Sequence, residues 1–273
     1  MNAARNIIST NDIELIKADS IVRTVEFHRE LPSTNDLALQ LATLVELDTP
    51  LLVLTEFQTA GRGRGSNQWW SAPGSLTFSL VIDTGKYKSK GAWDPRLSLT
   101  TALAMRDALR ECVPLSDIQL KWPNDVYLGS RKVAGILLER PATRPDRLVV
   151  GTGININNSF SKAPEQIRTI ATSLYDASGR HFVLRDVLRT ILKHLAQRYQ
   201  ELAADELCLA EEWRDHCMLR NRTVHVALGE RIICGVCHGI DDQGALIIEA
   251  DSTLHCLQSG TIQRVEGGGA DVV

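Results

Sequence analysis

Residues 118–139 read IQLKWPNDVYLGSRKVAGILLE, three runs of strand-forming residues separated by two turn signals. The turns fall at Pro-Asn-Asp (123–125) and Gly-Ser (129–130), because these residue types favour tight turns. The first turn gathers a lysine, an amide and a carboxylate at a strand end: Lys121, Asn124 and Asp125. Strand ends are where α/β proteins often build binding sites. The segment therefore predicts both part of a sheet and the edge of a candidate site.

Strands and helices alternate on both sides of this segment. Apolar runs predict buried strands at 51–57, 75–83 and 147–156, and helical periodicity marks 96–112 and 183–202. Such a mixture over about residues 25–215 predicts one α/β or α+β domain.

A further helix is predicted to begin at Ser33, in the stretch LPSTNDLALQLATLVEL. Ser33 is a good N-cap with Asp36 three residues later, and Leu37, Leu41 and Leu44 then share one face. Capping alone would explain Ser33.

The pattern changes after Arg220, where five short strands are separated by turn signals. The strands are TVHVAL, RIICGVCHGI, ALIIEA, TLHCL and IQRV. They predict a small five-stranded barrel of about 45 residues. The final GGGADVV (267–273) is predicted to be disordered.

Composition excludes several classes of protein. The 273 residues are 44% hydrophobic and 23% charged, with a formal net charge of −3. This acidic balance argues against a protein that coats nucleic acid or an anionic membrane. No run approaches about 18 apolar residues, and Asp12 and Glu14 stand where a signal peptide has its apolar core. We therefore expect a soluble, most simply cytoplasmic, protein.

Six cysteines raise the question of a metal or haem site. Cys234, Cys237 and His238 match the CxxCH pattern of c-type haem attachment. The surrounding sequence, however, predicts a strand. Residues three apart on a strand point to opposite faces, which also weakens a zinc site with His255 and Cys256. We expect strand packing and free thiols.

A glycine-rich loop carries two arginines, Gly61-Arg62-Gly63-Arg64-Gly65. It is not a dinucleotide fingerprint, because Ser66 stands where that pattern needs glycine, and the chain has no P-loop motif. Arginine forks match carboxylate and phosphate oxygens. An anion clamp and a mobile basic surface loop explain this loop equally well.

Cations gathered at one site would matter if an anionic nucleophile met a phosphate. Two unit charges about 4 Å apart repel by roughly 4 kcal/mol at an effective dielectric near 20. Arg62, Arg64, Lys121 and Lys132, with Mg²⁺ on the phosphates, could remove that repulsion. This pattern of cations indicates a nucleotide-dependent ligase or transferase.

The predicted strand at 147–156 ends in small residues and an amide, Gly151, Gly153 and Asn155. They are candidates for the site, and a tight strand exit is the alternative explanation.

Three segments together resemble the biotin protein ligases: EFQTAGRGRGSNQWWS (56–71), KWPNDVYLGSRKVAGILLE (121–139) and GTGININN (151–158). The resemblance covers residues 27 to about 265. It implies an α+β fold with a class II synthetase-like catalytic domain, whose mixed sheet is flanked by helices, and a small C-terminal SH3-like β-barrel. The expected boundaries are a lead-in at 1–26, a catalytic domain at 27–218, the SH3-like domain at 219–266 and the tail at 267–273.

The chemistry implied by the resemblance has two steps. Biotin's carboxylate attacks the α-phosphate of Mg-ATP to give biotinyl-5′-AMP and pyrophosphate. A lysine of a biotin carboxyl carrier protein domain, from a biotin-dependent carboxylase, then takes the biotinyl group. The implied ligands are ATP, Mg²⁺ carried by ATP, and biotin, with no metal held by protein side chains.

The resemblance also implies roles for individual residues. The biotin-binding set is Ser33, Thr34, Asn35, Gln58, Gly61, Arg62, Gly63, Arg64, Lys132 and Gly135. In this set Ser33 to Asn35 and Gln58 hold the neutral head group, the Gly-Arg loop closes over biotinyl-AMP, and Lys132 bridges carboxylate and α-phosphate. The nucleotide-binding set is Arg64, Trp69, Asn124 and Asn155, with Trp69 or Trp122 covering apolar parts of the ligand. The catalytic set is Lys132, Arg62, Arg64, Lys121 and Asp125, and Asp125 would orient or deprotonate the incoming lysine.

Two departures from the family pattern carry expectations of their own. Ser66 replaces a usual glycine, so we expect activity to be retained with looser or slower loop closure, since glycine tolerates positive φ better. About 26 residues precede the matching region, too few for the winged helix-turn-helix of some members, so we expect no DNA binding. A lipoate ligase of the same fold and a catalytically silent biotin-binding protein remain the alternatives.

Overall fold

The computed structural model describes residues 8–86, 94–161 and 163–266. The predicted disordered tail at 267–273 lies outside these described residues. None of the helices in the described ranges is long and apolar enough to cross a bilayer.

A seven-stranded mixed sheet forms the main part of the fold, in the order β1-β2-β3-β7-β6-β5-β4. Its strands are β1 (Thr24–Leu31), β2 (Leu51–Gln58), β3 (Leu76–Asp83), β4 (Ile118–Lys121), β5 (Asp125–Leu128), β6 (Arg131–Glu139) and β7 (Arg147–Ile154). β1 and β2 pair in parallel, and the other neighbours are antiparallel. The expectation of a mixed sheet flanked by helices is confirmed.

The 118–139 segment forms three adjacent antiparallel strands, β4, β5 and β6. Lys121 pairs with Asp125 across the first turn, and Asp125 pairs with Gly135 in the next strand. This register brings Lys121, Asp125 and Gly135 side by side in the three strands. The predicted three strands are confirmed.

Helices cover both faces of the sheet. They are α1 (Thr10–Ala18), α2 (Thr34–Leu41), α3 (Arg96–Cys112), α4 (Glu165–Arg168), α5 (Leu174–Ser178), α6 (Leu184–Ala203) and α7 (Leu209–Arg214), with a 3₁₀ turn at Thr84–Lys86. α3 and α6 pack together on one face, against a core that includes Leu52, Leu54 and Leu80. α2 covers the other face, where Leu51, Val53 and Val81 lie. The alternation along β2 therefore separates two cores, as strand geometry requires.

The helix predicted at residue 33 is shorter than its apolar pattern indicated. It ends at Leu41, Ser33 makes no capping hydrogen bond with its side chain, and Leu44 is exposed. Arg147 of β7 explains the early end, because its guanidinium donates to the carbonyl oxygens of Ala42 (2.9 Å) and Leu44 (2.5 Å). A cation here satisfies carbonyl groups that a helix end leaves unpaired.

The C-terminal region is a five-stranded antiparallel sheet in the order β11-β10-β9-β8-β12. Its strands are β8 (Thr223–Leu228), β9 (Arg231–Ile240), β10 (Leu246–Ala250), β11 (Thr253–Leu257) and β12 (Thr261–Val265), close to the five predicted ones. Closure into an SH3-like barrel stays a prediction.

The cysteines are free, as predicted, and the CxxCH residues lie in β9. Cys237 is buried and Cys234 exposed, so the two thiols point to opposite faces. Strand packing therefore explains this motif.

The C-terminal sheet contacts the region of the 118–139 segment directly. Trp122 is buried and its Nε1 donates to the carbonyl oxygen of Gly244, at 3.1 Å. The backbone of Leu120 exchanges hydrogen bonds with His216 and Met218, just before β8. The two sheets are thus joined next to the candidate site.

Candidate functional site

A cavity of about 620 Å³ opens between the start of α2, the ends of β2 and β7, the middle of β6, and the Gly-Arg loop. It brings together every site residue expected from the sequence except Gly61. Those residues are Ser33, Thr34, Asn35, Gln58, Arg62, Gly63, Arg64, Trp69, Lys121, Asn124, Asp125, Lys132, Gly135 and Asn155, and Trp122 also lines the cavity.

Small and polar residues replace apolar ones on the α2 face of the sheet, where the cavity begins. Leu51 and Val53 in β2 give way to Thr55, and Val81 in β3 gives way to Ser79 and Thr77. Glycine follows on β7, since Thr77 pairs with Gly153 and Ser79 with Gly151. The same alternation that builds the core therefore leaves room for a ligand at one end.

One end of the cavity is neutral and is lined by Thr34, Asn35 and Gln58. We call these residues, together with Ser79, which is hydrogen-bonded to two of them, the head-group end. Gln58 Oε1 accepts from the backbone N–H (2.7 Å) and the hydroxyl (3.1 Å) of Thr34. Ser79 Oγ lies 2.6 Å from Asn35 Oδ1 and 2.8 Å from Thr34 Oγ1. All four side chains are buried. The network fixes their orientation before any ligand arrives.

Gly151 and Gly153 make the close packing at this end possible. A Cβ on Gly151 would lie 1.9 Å from Asn35 Oδ1, and a Cβ on Gly153 would lie 2.3 Å from the Trp69 ring. Neither distance is compatible with a side chain. The tight strand exit expected from the sequence is therefore also a wall of the cavity.

Three buried polar atoms on the cavity wall have neither a hydrogen-bond nor an ion-pair partner among the described residues. They are Trp69 Nε1, Thr77 Oγ1 and Thr152 Oγ1. Buried polar groups are nearly always paired, so these atoms mark capacity for a ligand. Thr77 and Thr152 lie within predicted strands, and their residue types alone gave no signal.

The Gly-Arg loop folds back on itself as a short hairpin. The N–H of Gly63 donates to Asn67 O (2.8 Å) and that of Trp69 to Gly61 O (2.9 Å). Gly61 itself packs against the Trp69 backbone rather than lining the cavity, since an added Cβ would lie 2.5 Å from Trp69 O. Gly65 adopts φ +61°, whereas Ser66 is not in the positive-φ region. The turn therefore favours glycine at position 65 and not at position 66.

Arg62 is held by two carboxylates that the sequence analysis did not assign to the site. Its guanidinium makes a two-pronged contact with Glu139, at 2.9 and 2.6 Å, and lies 2.7 Å from Asp36. The hydrogen bond with Glu139 is the main cause that raises the pKa of Arg62 above its ordinary value. Asp36, expected to complete a helix cap, therefore contacts the loop instead.

Arg64 reaches the C-terminal sheet. Both of its terminal nitrogens lie 3.4 Å from the carbonyl oxygen of Gly260, and Thr261 and Ile262 line the cavity. Burial lowers the pKa of Arg64, while the nearby Asp125 carboxylate opposes that change. The C-terminal region thus contributes one wall of the site, which no motif in its sequence indicated.

The opposite end of the cavity is charged, and we call Arg64, Lys121, Asp125 and Lys132 the cationic end. Lys132 Nζ and Asp125 Oδ1 are 2.6 Å apart. Lys121 is buried, with its Nζ 5.6 Å from the centre of the Tyr127 ring, and burial lowers the pKa of its amine. A Cβ on Gly135 would lie 3.1 Å from Lys132 Nζ, so glycine leaves this amine accessible.

The two asparagines expected to contact nucleotide are partly occupied by protein. Asn124 Nδ2 donates to Ile136 O at 2.7 Å, and Asn155 Oδ1 accepts from Asn158 Nδ2 at 3.0 Å. An apolar wall lies beside them, with the Trp70 and Phe160 rings 5.3 Å apart. Ile167, Ile170 and Ala171 complete it. Trp70 lies in the 56–71 motif, but no motif marks the other residues of this wall.

Taken together, the cavity joins a neutral hydrogen-bonding end, an apolar wall and a cationic end. Such a site suits a ligand with an uncharged polar head and an anionic tail, next to phosphate. These are the requirements of an acid-activating ligase.

Comparison with known proteins agrees with this class. Residues 27–155 match the biotin/lipoate A/B protein ligase family, and residues 221–272 match the biotin protein ligase C-terminal domain. The biotin–[acetyl-CoA-carboxylase] ligase of Paracoccus denitrificans is 34% identical over 229 residues, which are 79% of this chain and 90% of that protein. The enzyme of the same name from Mycobacterium tuberculosis is 31% identical over 254 residues, 91% of this chain and 92% of that protein.

A solved structure extends the comparison to the fold. The biotin protein ligase from Aquifex aeolicus, in complex with biotin and ATP, superposes with a TM-score of 0.77 at 27% identity. The alignment covers 88% of this chain and 98% of that one. The chain belongs to the biotin protein ligase family, and it is a ligase enzyme.

Proposed function

We propose that this protein activates biotin with ATP to biotinyl-5′-AMP and transfers it to a lysine of a biotin carboxyl carrier protein domain. The observation that carries the proposal is the division of one cavity into a neutral head-group end and a cationic end. The family relatives named for biotin–[acetyl-CoA-carboxylase] ligation support the same reaction.

The head-group end suits the ureido ring of biotin. That ring is neutral and has both N–H donors and a carbonyl acceptor, so hydroxyls and amides match it better than charges do. Asn35 Oδ1 and the hydroxyls of Thr34 and Ser33 match these groups. The hydrogen bonds that Asn35 and Thr34 make with Ser79 reduce the entropy lost on binding.

The cationic end suits the first chemical step. An oxygen of biotin's carboxylate bonds to the α-phosphorus as the bond to pyrophosphate breaks. In our proposal Lys132 lies between the carboxylate and the α-phosphate, and Arg64 and Lys121 offset the charge that grows on phosphate oxygens. Mg²⁺, carried by ATP, would neutralise the phosphates. The described residues present no cluster of three or more His, Cys, Asp or Glu side chains that could hold a metal ion.

The second step forms an amide. The acceptor lysine's amine attacks the acyl carbon, AMP leaves with the electron pair of the broken C–O bond, and the amine loses a proton. We propose that Asp125 orients this amine, because its carboxylate lies at the cavity edge beside Lys132. The Gly-Arg loop would exclude water from the anhydride between the two steps.

The complete reaction tests this proposal. Purified protein is incubated with Mg-ATP, labelled biotin or labelled lipoate, and a carrier domain, with the acceptor lysine changed to arginine as the control. We expect label on the wild-type carrier from biotin alone. Labelling from lipoate would instead favour the lipoate ligase. Biotin binding without any product would indicate a silent binding protein.

A further inference from the structure

Glu139, the last residue of β6, contacts two parts of the site at once. Its Oε1 accepts from Arg62 Nη1 (2.9 Å), and its Oε2 accepts from both Arg62 Nη2 (2.6 Å) and Asn35 Nδ2 (2.8 Å). Glu139 does not itself line the cavity. One carboxylate therefore connects the Gly-Arg loop to the head-group end.

The contact with Glu139 sets the orientation of the Asn35 amide. Both protons of Nδ2 are used, one by Glu139 and one by the carbonyl oxygen of Leu137 at 3.3 Å. Oδ1 accepts from Ser79 and retains a second lone pair. Asn35 therefore presents an acceptor to the cavity, which suits an N–H donor of the ligand. Without the carboxylate, the Asn35 amide would lose the charge-assisted hydrogen bond that holds it in this orientation.

The contact with Arg62 fixes the loop to the sheet. A two-pronged arginine–carboxylate pair is both strong and directional, and the charge on Glu139 is its basis. Asp36 adds a second contact to the same guanidinium, at 2.7 Å, but no hydrogen bond joins it to Asn35. Glu139 thus differs from Asp36 in holding both partners.

We propose that Glu139 is a positioning residue that couples closure of the Gly-Arg loop to recognition of the biotin head group, a role that rests on the proposed function. When Arg62 moves, Glu139 Oε2 loses a positively charged partner, and this is the oxygen that also accepts from Asn35. Occupation of the head-group end thereby favours the closed loop, and the closed loop favours the correct amide orientation.

Glu139→Gln tests this coupling with little change in shape. A neutral amide has one acceptor oxygen, so it cannot accept from both nitrogens of Arg62 and from Asn35 together. We expect biotin affinity to fall by about tenfold or more and biotinyl-AMP to escape several-fold faster, as losing charge-assisted hydrogen bonds implies. The rate of adenylation at saturating biotin should change by less than about threefold, because Glu139 does not touch the reacting atoms.

Asp36→Asn is the matched control. It removes a carboxylate from Arg62 and leaves Asn35 untouched, so we expect faster escape of biotinyl-AMP with biotin affinity within about twofold of wild type. Biotin affinity is measured by calorimetry without ATP, and escape by hydrolysis of biotinyl-AMP in solution. Thermal unfolding of each variant shows that it is folded.

Three results would overturn the coupling. They are wild-type behaviour of Glu139→Gln in both readouts, a fall in adenylation rate alone, or an equal loss of biotin affinity in Asp36→Asn. If Glu139→Gln does not fold, Glu139→Asp keeps the charge but is too short to hold both partners, and the same changes are expected. Absence of biotin activation by the wild-type protein would instead remove the proposed function itself.

Discussion

The two ends of the cavity are built in opposite ways. At the head-group end, neutral side chains are buried and hydrogen-bonded to one another, as in the contacts of Thr34 with Gln58 and of Asn35 with Ser79. At the cationic end, Lys121 and Arg64 are held in partly desolvated positions that lower the pKa of each group. A preformed neutral network favours recognition, whereas desolvated cations interact strongly with new negative charge. In our proposal, the head-group end therefore binds biotin and the cationic end carries the reaction.

Lys132→Ala should have the largest effect, because it removes the cation that we propose lies between the reacting groups. We expect adenylation to fall by at least about a hundredfold, the scale for losing one group that stabilises a transition state. Biotin affinity without ATP should change much less. Arg131→Ala, which removes the adjacent cation on the same strand outside the cavity, is the control. Full adenylation by Lys132→Ala would contradict the role of this amine.

Gly151→Ala should have the next largest effect, and on binding rather than chemistry. The new methyl group would overlap Asn35 Oδ1, so Asn35 must leave its position. We expect the KM for biotin to rise by roughly tenfold to a hundredfold, with a smaller change in kcat. Gly85→Ala is the control, since a Cβ there meets no atom within 4 Å. An unchanged KM would show that Asn35 does not recognise biotin.

Lys121→Met tests whether the cationic end is desolvated, through the pH dependence of stability. Burial lowers the pKa of Lys121 from 10.5, so the unfolded chain holds this proton over a pH range where the folded protein has released it. The contribution of Lys121 to stability therefore improves as pH rises towards 10.5, by about 1.4 kcal/mol for each unit of lowering. The free energy of unfolding of wild type, relative to Lys121→Met, should rise between neutral and alkaline pH in denaturant titrations. A pH-independent difference would show that the amine is not desolvated.

Ser66→Gly should have the smallest effect. The family usually has glycine here, but Ser66 does not occupy the positive-φ region, whereas Gly65 does. We expect escape of biotinyl-AMP to change by less than about twofold, because no backbone strain is relieved. A markedly slower escape would instead support the looser closure expected from the sequence.

The sequence predicted best where local pattern and tertiary structure agree. The helix at 96–112 and the strands of 118–139 were identified because periodicity and turn residues act locally. The helix at residue 33 was extended too far, since the group that caps its end is Arg147 of β7, more than a hundred positions away. Local pattern cannot contain such a partner.

The candidate site also divides into residues that local motifs indicate and residues that depend on distant parts of the chain. Residues in dense motifs, such as Lys132 and Asn35, line the cavity, and their roles stay predictions. Glu139 and the Gly260–Ile262 wall were missed, because their positions depend on strand register and on the packing of the C-terminal sheet. A lone glutamate at the end of a strand is most simply a solvated surface charge.

The most direct measurement is exchange of labelled pyrophosphate into ATP with Mg²⁺, in the presence of biotin or of lipoate. It isolates the first step and needs no acceptor protein. A binding end selective for biotin and a reactive cationic end predict exchange with biotin and none with lipoate. Exchange with lipoate, or no exchange despite measurable biotin binding, would contradict this division of the cavity.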